Sequence, residues 1–154
     1  MLRPVLWIHD EALGPTNPSL VAHREAPALF VFDRELIETQ RLSLKRLGFL
    51  YESLLELPVT LRHGDVAQEV LSFASRHGAD GVVTSAGVDP RFGLLREQIA
   101  AHLPVQVLEP EPFVVLPEPV DLRRFSRYWR RAEPVLWGRG SAAAPPAPAR
   151  LWDR

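Results

Sequence analysis

The sequence contains no cysteine and no long hydrophobic run. The absence of cysteine excludes disulfide bonds, thiolate metal ligands and thiol catalysis, and it is typical of proteins in a reducing cytoplasm. Every apolar run is far shorter than the ~20 residues that span a bilayer. The N-terminal Met1-Leu2-Arg3-Pro4 leads into a strand pattern rather than a signal peptide. We therefore expect a cytoplasmic protein with no membrane partner.

The common catalytic and nucleotide-binding motifs are missing as well. No Gly-x-Gly-x-x-Gly follows the first strand pattern and no Walker phosphate loop occurs, so dinucleotide or nucleoside triphosphate binding has no direct support. The five histidines are not spaced as metal ligands. Three of them, His23, His77 and His102, lie at predicted helix ends, where a histidine interacts with the terminal carbonyl groups. These absences favour a role that is not enzymatic.

Five short apolar runs alternate with helical patterns along the chain. The runs predict strands at 5–8, 28–32, 58–61, 82–84 and 105–108. The helical patterns lie at 18–23, at 38–56, from Asp65 onward and at 91–102. Continuous apolar runs are typical of strands that are covered on both faces. The order βαβαβαβαβ therefore predicts an α/β fold, a doubly wound, five-stranded parallel sheet that is Rossmann-like, with helices on both faces.

The charge is distributed unevenly along the chain. Residues 1–120 carry 10 basic and 16 acidic side chains, a balance of −6, whereas residues 121–154 carry 8 and 3, a balance of +5. Arginines and aromatic residues alternate in a helix predicted at 121–133. Such a helix could bind phosphate, but we favour arginines that cover the acidic body of the same domain, so direct DNA binding is not expected. We expect one domain over 1–138, followed by a disordered, proline- and alanine-rich tail at 139–154.

Polar residues follow several of the predicted strands. In open parallel sheets, ligands bind beyond the carboxyl ends of the strands, where the strand order reverses. The candidate binding residues at these ends are His9, Asp10, Asp33, Arg34, Ser85 and Asp89. Such a crevice suits a ring with polar edges, or a ribityl or phosphate chain. The alternatives are that these residues only cap helices and solvate loops, or that Asp10 and Asp33 bind magnesium as part of a hydrolase.

Several stretches also match a known family in the same order. They are Val5–Ile8 with Asn17-Pro18-Ser19-Leu20, Phe30–Asp33, Phe49–Leu54, Arg62-His63-Gly64-Asp65, His77–Val83, Asp89-Pro90 and Phe125–Trp129. Over roughly residues 4–137 the chain resembles the N-terminal α/β domain of the DNA photolyases and cryptochromes. The helical domain that binds FAD in that family has no counterpart here. The resemblance therefore implies the fold, no bound FAD and no repair of pyrimidine dimers by this chain alone.

The resemblance further implies a role as a chromophore-binding domain. In the family this domain can hold an antenna chromophore, which is FMN, a deazaflavin or a folate, and the candidate residues listed above would form its pocket. The first functional hypothesis is thus a module that binds a flavin-like or nucleotide-like molecule and assists a separate FAD-bearing chain in DNA photorepair or light sensing. The second is a degenerate domain that acts in protein interaction or oligomerisation, with another protein or a second copy as its partner.

Overall fold

The computed structural model describes residues 3–40 and 42–138 of the chain. The chain divides into two compact units, residues 1–110 and residues 111–154. The first unit contains the sheet, and the described part of the second unit contains one helix. The domain boundary predicted at residue 138 stays a prediction, and the disordered tail predicted at 139–154 lies outside the described residues.

The five predicted strands form one parallel sheet. They are β1 (Pro4–Ile8), β2 (Ala28–Asp33), β3 (Thr60–Gly64), β4 (Gly81–Ser85) and β5 (Val105–Leu108). Their order in the sheet is β3-β2-β1-β4-β5, and all neighbours run parallel. The chain moves outward from β1 to β3 and then crosses back to β4, so the strand order reverses between β1 and β4. The predicted doubly wound sheet is confirmed.

Helices follow each of the first four strands. They are α1 (Pro18–Ala22), α2 (Arg34–Gln40), α3 (Leu44–Leu55), α4 (Val66–Arg76) and α5 (Pro90–Ala100), and a short 3₁₀ turn at Asp10–Ala12 follows β1. Among the described residues no helix has the length and apolar character needed to cross a membrane.

Alternate residues of each central strand enter two separate cores. Val5 and Trp7 of β1 pack with side chains of α4 and with Ile99 of α5. Leu6 and Ile8, which point to the other face, pack with Leu20, Leu54 and further residues of the α1 and α3 side. Because both faces of β1 are covered, its sequence is continuously apolar rather than alternating.

Two predicted elements differ from the structure. The prediction of a single helix at 38–56 was wrong, since two helices, α2 and α3, cover this stretch. Asp33 caps the first of them directly after β2, and the hydroxyl of Ser43 accepts the backbone N–H of Arg46 at 3.3 Å to begin the second. The third strand lies at Thr60–Gly64 and not at 58–61. Pro58 has no N–H to donate to a neighbouring strand, so the ladder begins after it.

In the second unit, the arginine-rich helix is α6 (Phe125–Leu136) rather than 121–133. The carboxylate of Asp121 accepts the backbone N–H of Arg123 at 3.0 Å and also contacts the guanidinium groups of Arg123 and Arg127. These contacts hold residues 121–123 in a turn that precedes the helix. Two of the arginines therefore pair with an acidic residue of their own unit.

Candidate functional site

A half-open pocket of about 90 Å³ lies beyond the carboxyl ends of β1 and β2. Its apolar lining is Trp7, Ile8, Phe30, Val31, Phe32, Leu36, Ile37, Leu42, Leu47, Leu50, Val66, Phe92 and Leu95. Its polar lining is His9, Asp10, Glu11, Asp33, Asp89 and Arg91. The loops after β1 and β4 leave the sheet in opposite directions at the reversal of strand order, and the space between them is where ligands bind in folds of this kind.

Asp33 and Arg91 form an ion pair at this pocket. Asp33 ends β2 with 9% of its surface exposed. Its Oδ1 accepts the backbone N–H groups of Glu35 and Leu36 at 3.0 and 3.3 Å and thereby caps α2. Its Oδ2 accepts Nε–H of Arg91 at 2.7 Å. The pair therefore connects the start of α2 with the first turn of α5.

Glu35 extends this pair to three residues. Its carboxylate accepts Nη2–H of Arg91 at 2.9 Å. Burial by itself lowers the pKa of Arg91, but the hydrogen bonds to Glu35 and Asp33 outweigh burial and raise the pKa above its usual value. Arg91 is therefore a permanent cation that two carboxylates already neutralise.

An aromatic wall is formed by Trp7, His9 and Phe92. The rings of Trp7 and Phe92 stack with a centroid distance of 5.4 Å, and the imidazole of His9 lies 5.0 Å from the Phe92 ring. His9 is 8% exposed, and its Nε2 lies 2.9 Å from the backbone carbonyl oxygen of Ser85. Because a carbonyl oxygen only accepts, Nε2 donates, and His9 links the ends of β1 and β4.

Glu11 places a fixed negative charge at the start of α5. Its carboxylate accepts the backbone N–H groups of Val88 and Asp89 at 3.0 and 3.2 Å. A side chain at position 87 would collide with this carboxylate, so Gly87 leaves the space that Glu11 occupies. The N-terminal end of a helix attracts negative charge, and here the chain supplies that charge itself.

The structure brings four of the six predicted binding residues to the pocket. His9, Asp10, Asp33 and Asp89 line it, whereas Arg34 and Ser85 do not. Arg34 is an exposed residue of α2.

Apart from Arg34, each of the predicted binding residues has a hydrogen-bond or ion-pair partner within the protein. The buried hydroxyl of Ser85 donates to Oδ1 of Asn17 at 3.0 Å and belongs to the cap of α1. Asp89 caps α5 by accepting the backbone N–H of Arg91 at 2.8 Å. Asp10 pairs with Arg46 at 3.6 Å. The alternative interpretation, that these residues cap helices, therefore describes Asp33 and Asp89 well, and Ser85 supports the Asn17 cap.

Sequence analysis missed Glu11, Arg91 and two members of the aromatic wall, Trp7 and Phe92. Arg91 was treated as an ordinary helix residue, although the preceding Asp89-Pro90 is a helix start that follows a strand end. A first-turn residue of such a helix lies at the carboxyl edge of the sheet, and this signal could have identified Arg91. No comparable signal was available for Phe92, whose role depends on its contact with Trp7.

No group of three or more histidine, aspartate or glutamate side chains that could hold a metal ion occurs within residues 3–40 and 42–138. Asp10 and Asp33, the two carboxylates considered for magnesium, pair with different arginines, Arg46 and Arg91. Each carboxylate is thus partly neutralised by its own cation. The described residues do not supply the cluster of oxygen ligands that magnesium requires.

The fold and the pocket define a doubly wound α/β protein with a crevice at its topological switch point. No family model matches the sequence, and no curated protein matches it either. One solved structure that the chain resembles is that of the hypothetical protein MJ0577, whose biochemical function was assigned from its structure. That match has 15% sequence identity and a TM-score of 0.47, and it covers 73% of this chain and 99% of the other.

The resemblance to photolyases and cryptochromes was wrong. The chain matches the solved structure of MJ0577, and no family model or curated protein supports a photolyase, a cryptochrome, a flavoprotein or a DNA-repair protein. The matched motifs are largely helix starts. Asn17, Asp65 and Asp89 each cap a helix through their side chains. Many α/β sheets need such residues at these places, so the motifs report local structure rather than ancestry. FMN, deazaflavin and folate were expected only through this resemblance and remain untested predictions without it.

Proposed function

We propose that this protein is a binding module for a small, mainly apolar ring compound with hydrogen-bond donors or a positive charge at one edge. The observation that carries the proposal is the combination of an apolar, aromatic pocket with an acidic rim at the switch point of the sheet. The proposal needs neither a light-driven role nor a flavin.

The apolar lining of the pocket is the evidence for a ring compound as the ligand. The pocket has a volume of about 90 Å³, and the stacked rings of Trp7 and Phe92 form part of its wall. Aromatic side chains favour planar partners through stacked or edge-to-face contacts. Aliphatic side chains of α2 and α3, such as Leu36, Ile37 and Leu47, line the pocket as well. A flat, apolar molecule would therefore bury most of its surface in this space.

The acidic rim of the pocket favours a ligand ring that carries hydrogen-bond donors at one edge. Four carboxylates, those of Asp10, Glu11, Asp33 and Asp89, line the pocket together with one arginine, Arg91. Ionised carboxylates only accept hydrogen bonds, so they recognise N–H groups and cations. Arg91 is already engaged by Asp33 and Glu35. A phosphate or carboxylate on the ligand would face net negative charge and bind less well.

Two matched probes test this charge preference. Benzamidine and benzoate share one ring and differ in the charge of a single substituent. We expect benzamidine to bind with a dissociation constant on the order of a millimolar, as befits a ligand of its size. We expect benzoate to bind at least about tenfold more weakly, because the rim carboxylates repel it. Isothermal titration calorimetry measures both, and equal affinity for the two probes would refute the proposed specificity.

Tryptophan fluorescence places the binding event in the pocket. A variant with Trp129, Trp137 and Trp152 changed to Phe leaves Trp7 as its only tryptophan. Benzamidine should change the emission of this variant. Absence of any change at saturating probe would show that the probe binds elsewhere.

A pair of charge variants tests the rim itself. Asp89→Asn removes one rim charge and keeps a residue that can cap α5, since asparagine is also a good N-cap. It should weaken benzamidine binding. Glu97→Gln removes the same charge from an exposed position near the other end of α5 and serves as the control. An equal effect of both changes would mean that net charge, rather than the rim, attracts the cation.

A further inference from the structure

The helix α3 carries two apolar faces, and only one of them is buried. Leu50 and Leu54 are 7% and 1% exposed and face the core. Leu44 and Leu55, by contrast, are 85% and 63% exposed, and Tyr51 is 50% exposed. The face with Leu50 and Leu54 packs against the core. The face with Leu44, Tyr51 and Leu55 has no packing partner among the described residues of the first unit.

The second face follows a heptad spacing. Leu44, Gly48, Tyr51 and Leu55 are separated by four, three and four residues, and we call them the α3 stripe. This is the spacing of the contact positions in a two-helix coiled coil, where side chains recur every 3.5 residues on average. Residues with this spacing form a continuous strip on one side of the helix.

The α3 stripe is complementary to itself when two copies run antiparallel. A two-fold axis between Gly48 and Tyr51 places Leu44 of one copy beside Leu55 of the other, and Gly48 beside Tyr51. Because a two-fold interface uses the same patch on both partners, each of these pairs occurs twice. A small residue would thus lie opposite the one large ring of the stripe.

The charges beside the stripe favour the same orientation. Lys45 and Glu52 are exposed, carry opposite charges and lie seven residues apart on the same edge of the helix. An antiparallel pair places Lys45 of one copy near Glu52 of the other. In a parallel two-fold pair each of these residues would instead face the opposite edge of the partner helix, so the contact between Lys45 and Glu52 would be absent. The charge pairing therefore favours the antiparallel arrangement.

Gly48 is compatible with close helix packing at the stripe. A Cβ atom added at this position would meet no other atom of the described residues within 4 Å, so none of them requires glycine there. Glycine in the middle of a helix is unfavourable for folding, and its presence on a surface is explained when another backbone approaches closely.

We propose that the α3 stripe is a self-association surface at which two copies of this chain pack antiparallel. The stripe lies on a different side of α3 from Leu47 and Leu50, which line the pocket, so the proposal does not depend on ligand binding. Two helices of this length form an interface smaller than the ~1,600 Å² of stable complexes. The dimer is therefore weak, with a dissociation constant in the micromolar range.

Sedimentation velocity of the full chain over a concentration series tests the proposal. We expect a monomer–dimer equilibrium that Leu44→Ser shifts toward the monomer by about tenfold or more, because the change removes two apolar contacts at once. Leu44 is highly exposed, so this variant should keep its fold, which circular dichroism checks. A chain that stays monomeric throughout, or a dimer that Leu44→Ser leaves unchanged, overturns the proposal.

Charge reversal tests the orientation separately. Lys45→Glu and Glu52→Lys should each weaken the dimer by about tenfold, because like charges then face each other across the two-fold axis. The double variant K45E/E52K restores opposite charges and should return to within about threefold of the original affinity. Glu97→Lys on α5 is the control for altered net charge. Failure of the double variant to recover affinity would exclude the antiparallel arrangement.

Discussion

Arg91 donates its Nε–H to Oδ2 of Asp33 across 2.7 Å, although 58 residues separate the two in the chain. The contact connects α5, which follows β4, with the end of β2. Asp33 also caps α2, so one buried carboxylate organises two helices beside the pocket. Because the side chain of Asp33 serves both as a helix cap and in an ion pair, the loss of either interaction should destabilise this region.

Arg91→Ala should destabilise the protein by about 1–3 kcal/mol. The buried carboxylate of Asp33 then loses both its cation and a hydrogen-bond donor. Arg91→Lys should recover only part of the loss, since an ammonium group cannot bond Asp33 and Glu35 in the same forked geometry. Urea denaturation measures the change in the free energy of unfolding. Arg96→Ala is the control, because Arg96 forms only an exposed 3.7 Å pair with Glu97. Equal losses for Arg91→Ala and Arg96→Ala would contradict the assignment.

Glu11→Ala should expose the backbone N–H groups of Val88 and Asp89, which the carboxylate now accepts. We expect a destabilisation of about 1 kcal/mol, since a charge near a helix N-terminus is lost. Hydrogen exchange should accelerate at these two amides in particular. Glu38→Ala, at an exposed position of α2, should leave their exchange unchanged. Unaltered exchange in Glu11→Ala would show that the contact contributes little in solution.

Gly87→Ala should mimic the loss of Glu11. The added methyl group would occupy the space of the Glu11 carboxylate and lie 3.0 Å from the ring of Phe92. The flexible carboxylate can move away, whereas the packed ring cannot move as easily. We therefore expect faster exchange at Val88 together with a lower melting temperature. Gly93→Ala, where a Cβ meets nothing within 4 Å, should instead be neutral or stabilising. A melting temperature that falls equally in both variants would speak against this explanation.

Asp121 should titrate with a pKa of about 2 instead of its ordinary 3.8, chiefly because the side chain and the backbone N–H of Arg123 bond to it. A carboxyl group whose pKa is lower in the folded state stabilises the fold above its ordinary pKa and loses that contribution as the pH falls. The turn before α6 should thus weaken between about pH 4 and pH 2. Carbon-13 NMR of the carboxyl group gives the midpoint, and Arg123→Gln should raise it. A midpoint near 3.8 in the unaltered chain would contradict the ion pair.

Asn17→Ala should cost more than the loss of an ordinary helix cap. Asn17 is 4% exposed, caps α1 and also accepts the hydroxyl of Ser85. We expect a loss of about 2 kcal/mol or more, because Asn17 Oδ1 accepts three buried donors at once, the backbone N–H groups of Ser19 and Leu20 and the hydroxyl of Ser85. Ser43→Ala removes an exposed cap and should cost about 0.5–1 kcal/mol. Denaturant unfolding of both variants provides the comparison, and equal losses would show that the Ser85 contact adds nothing.

The sequence predicted element types better than element boundaries. The continuous apolar runs identified the central strands β1, β2 and β4, because burial on both faces leaves a direct signature in composition. The edge strands β3 and β5 are less buried, and the predicted bounds of β3 were displaced. The break between α2 and α3 was missed, since the helical periodicity continues through it and the Ser43 cap was not recognised. The family resemblance failed for a related reason, because several of its matched stretches contain helix caps, such as Asn17, Asp65 and Asp89, that many unrelated folds share.

The lining of the pocket was predicted in part. His9, Asp10, Asp33 and Asp89 lie at strand ends, and parallel strands bring such ends to one edge, so their convergence followed from the element order. Ser85 was directed away from the pocket by its bond to Asn17, which no local pattern reveals. Arg91 and Phe92 were missed because each acts through a residue that is distant in the chain.

The sequence by itself determined the central strands, most of the helix caps and the apolar positions of the helices. These features depend on residues a few positions apart, whose geometry the backbone period sets. Only the tertiary structure decided the strand order β3-β2-β1-β4-β5, and with it the meeting of Asp33 with Arg91 and of Trp7 with Phe92. Contacts between residues so far apart in the sequence arise when whole helices and strands pack together. No periodic pattern in the sequence indicates them.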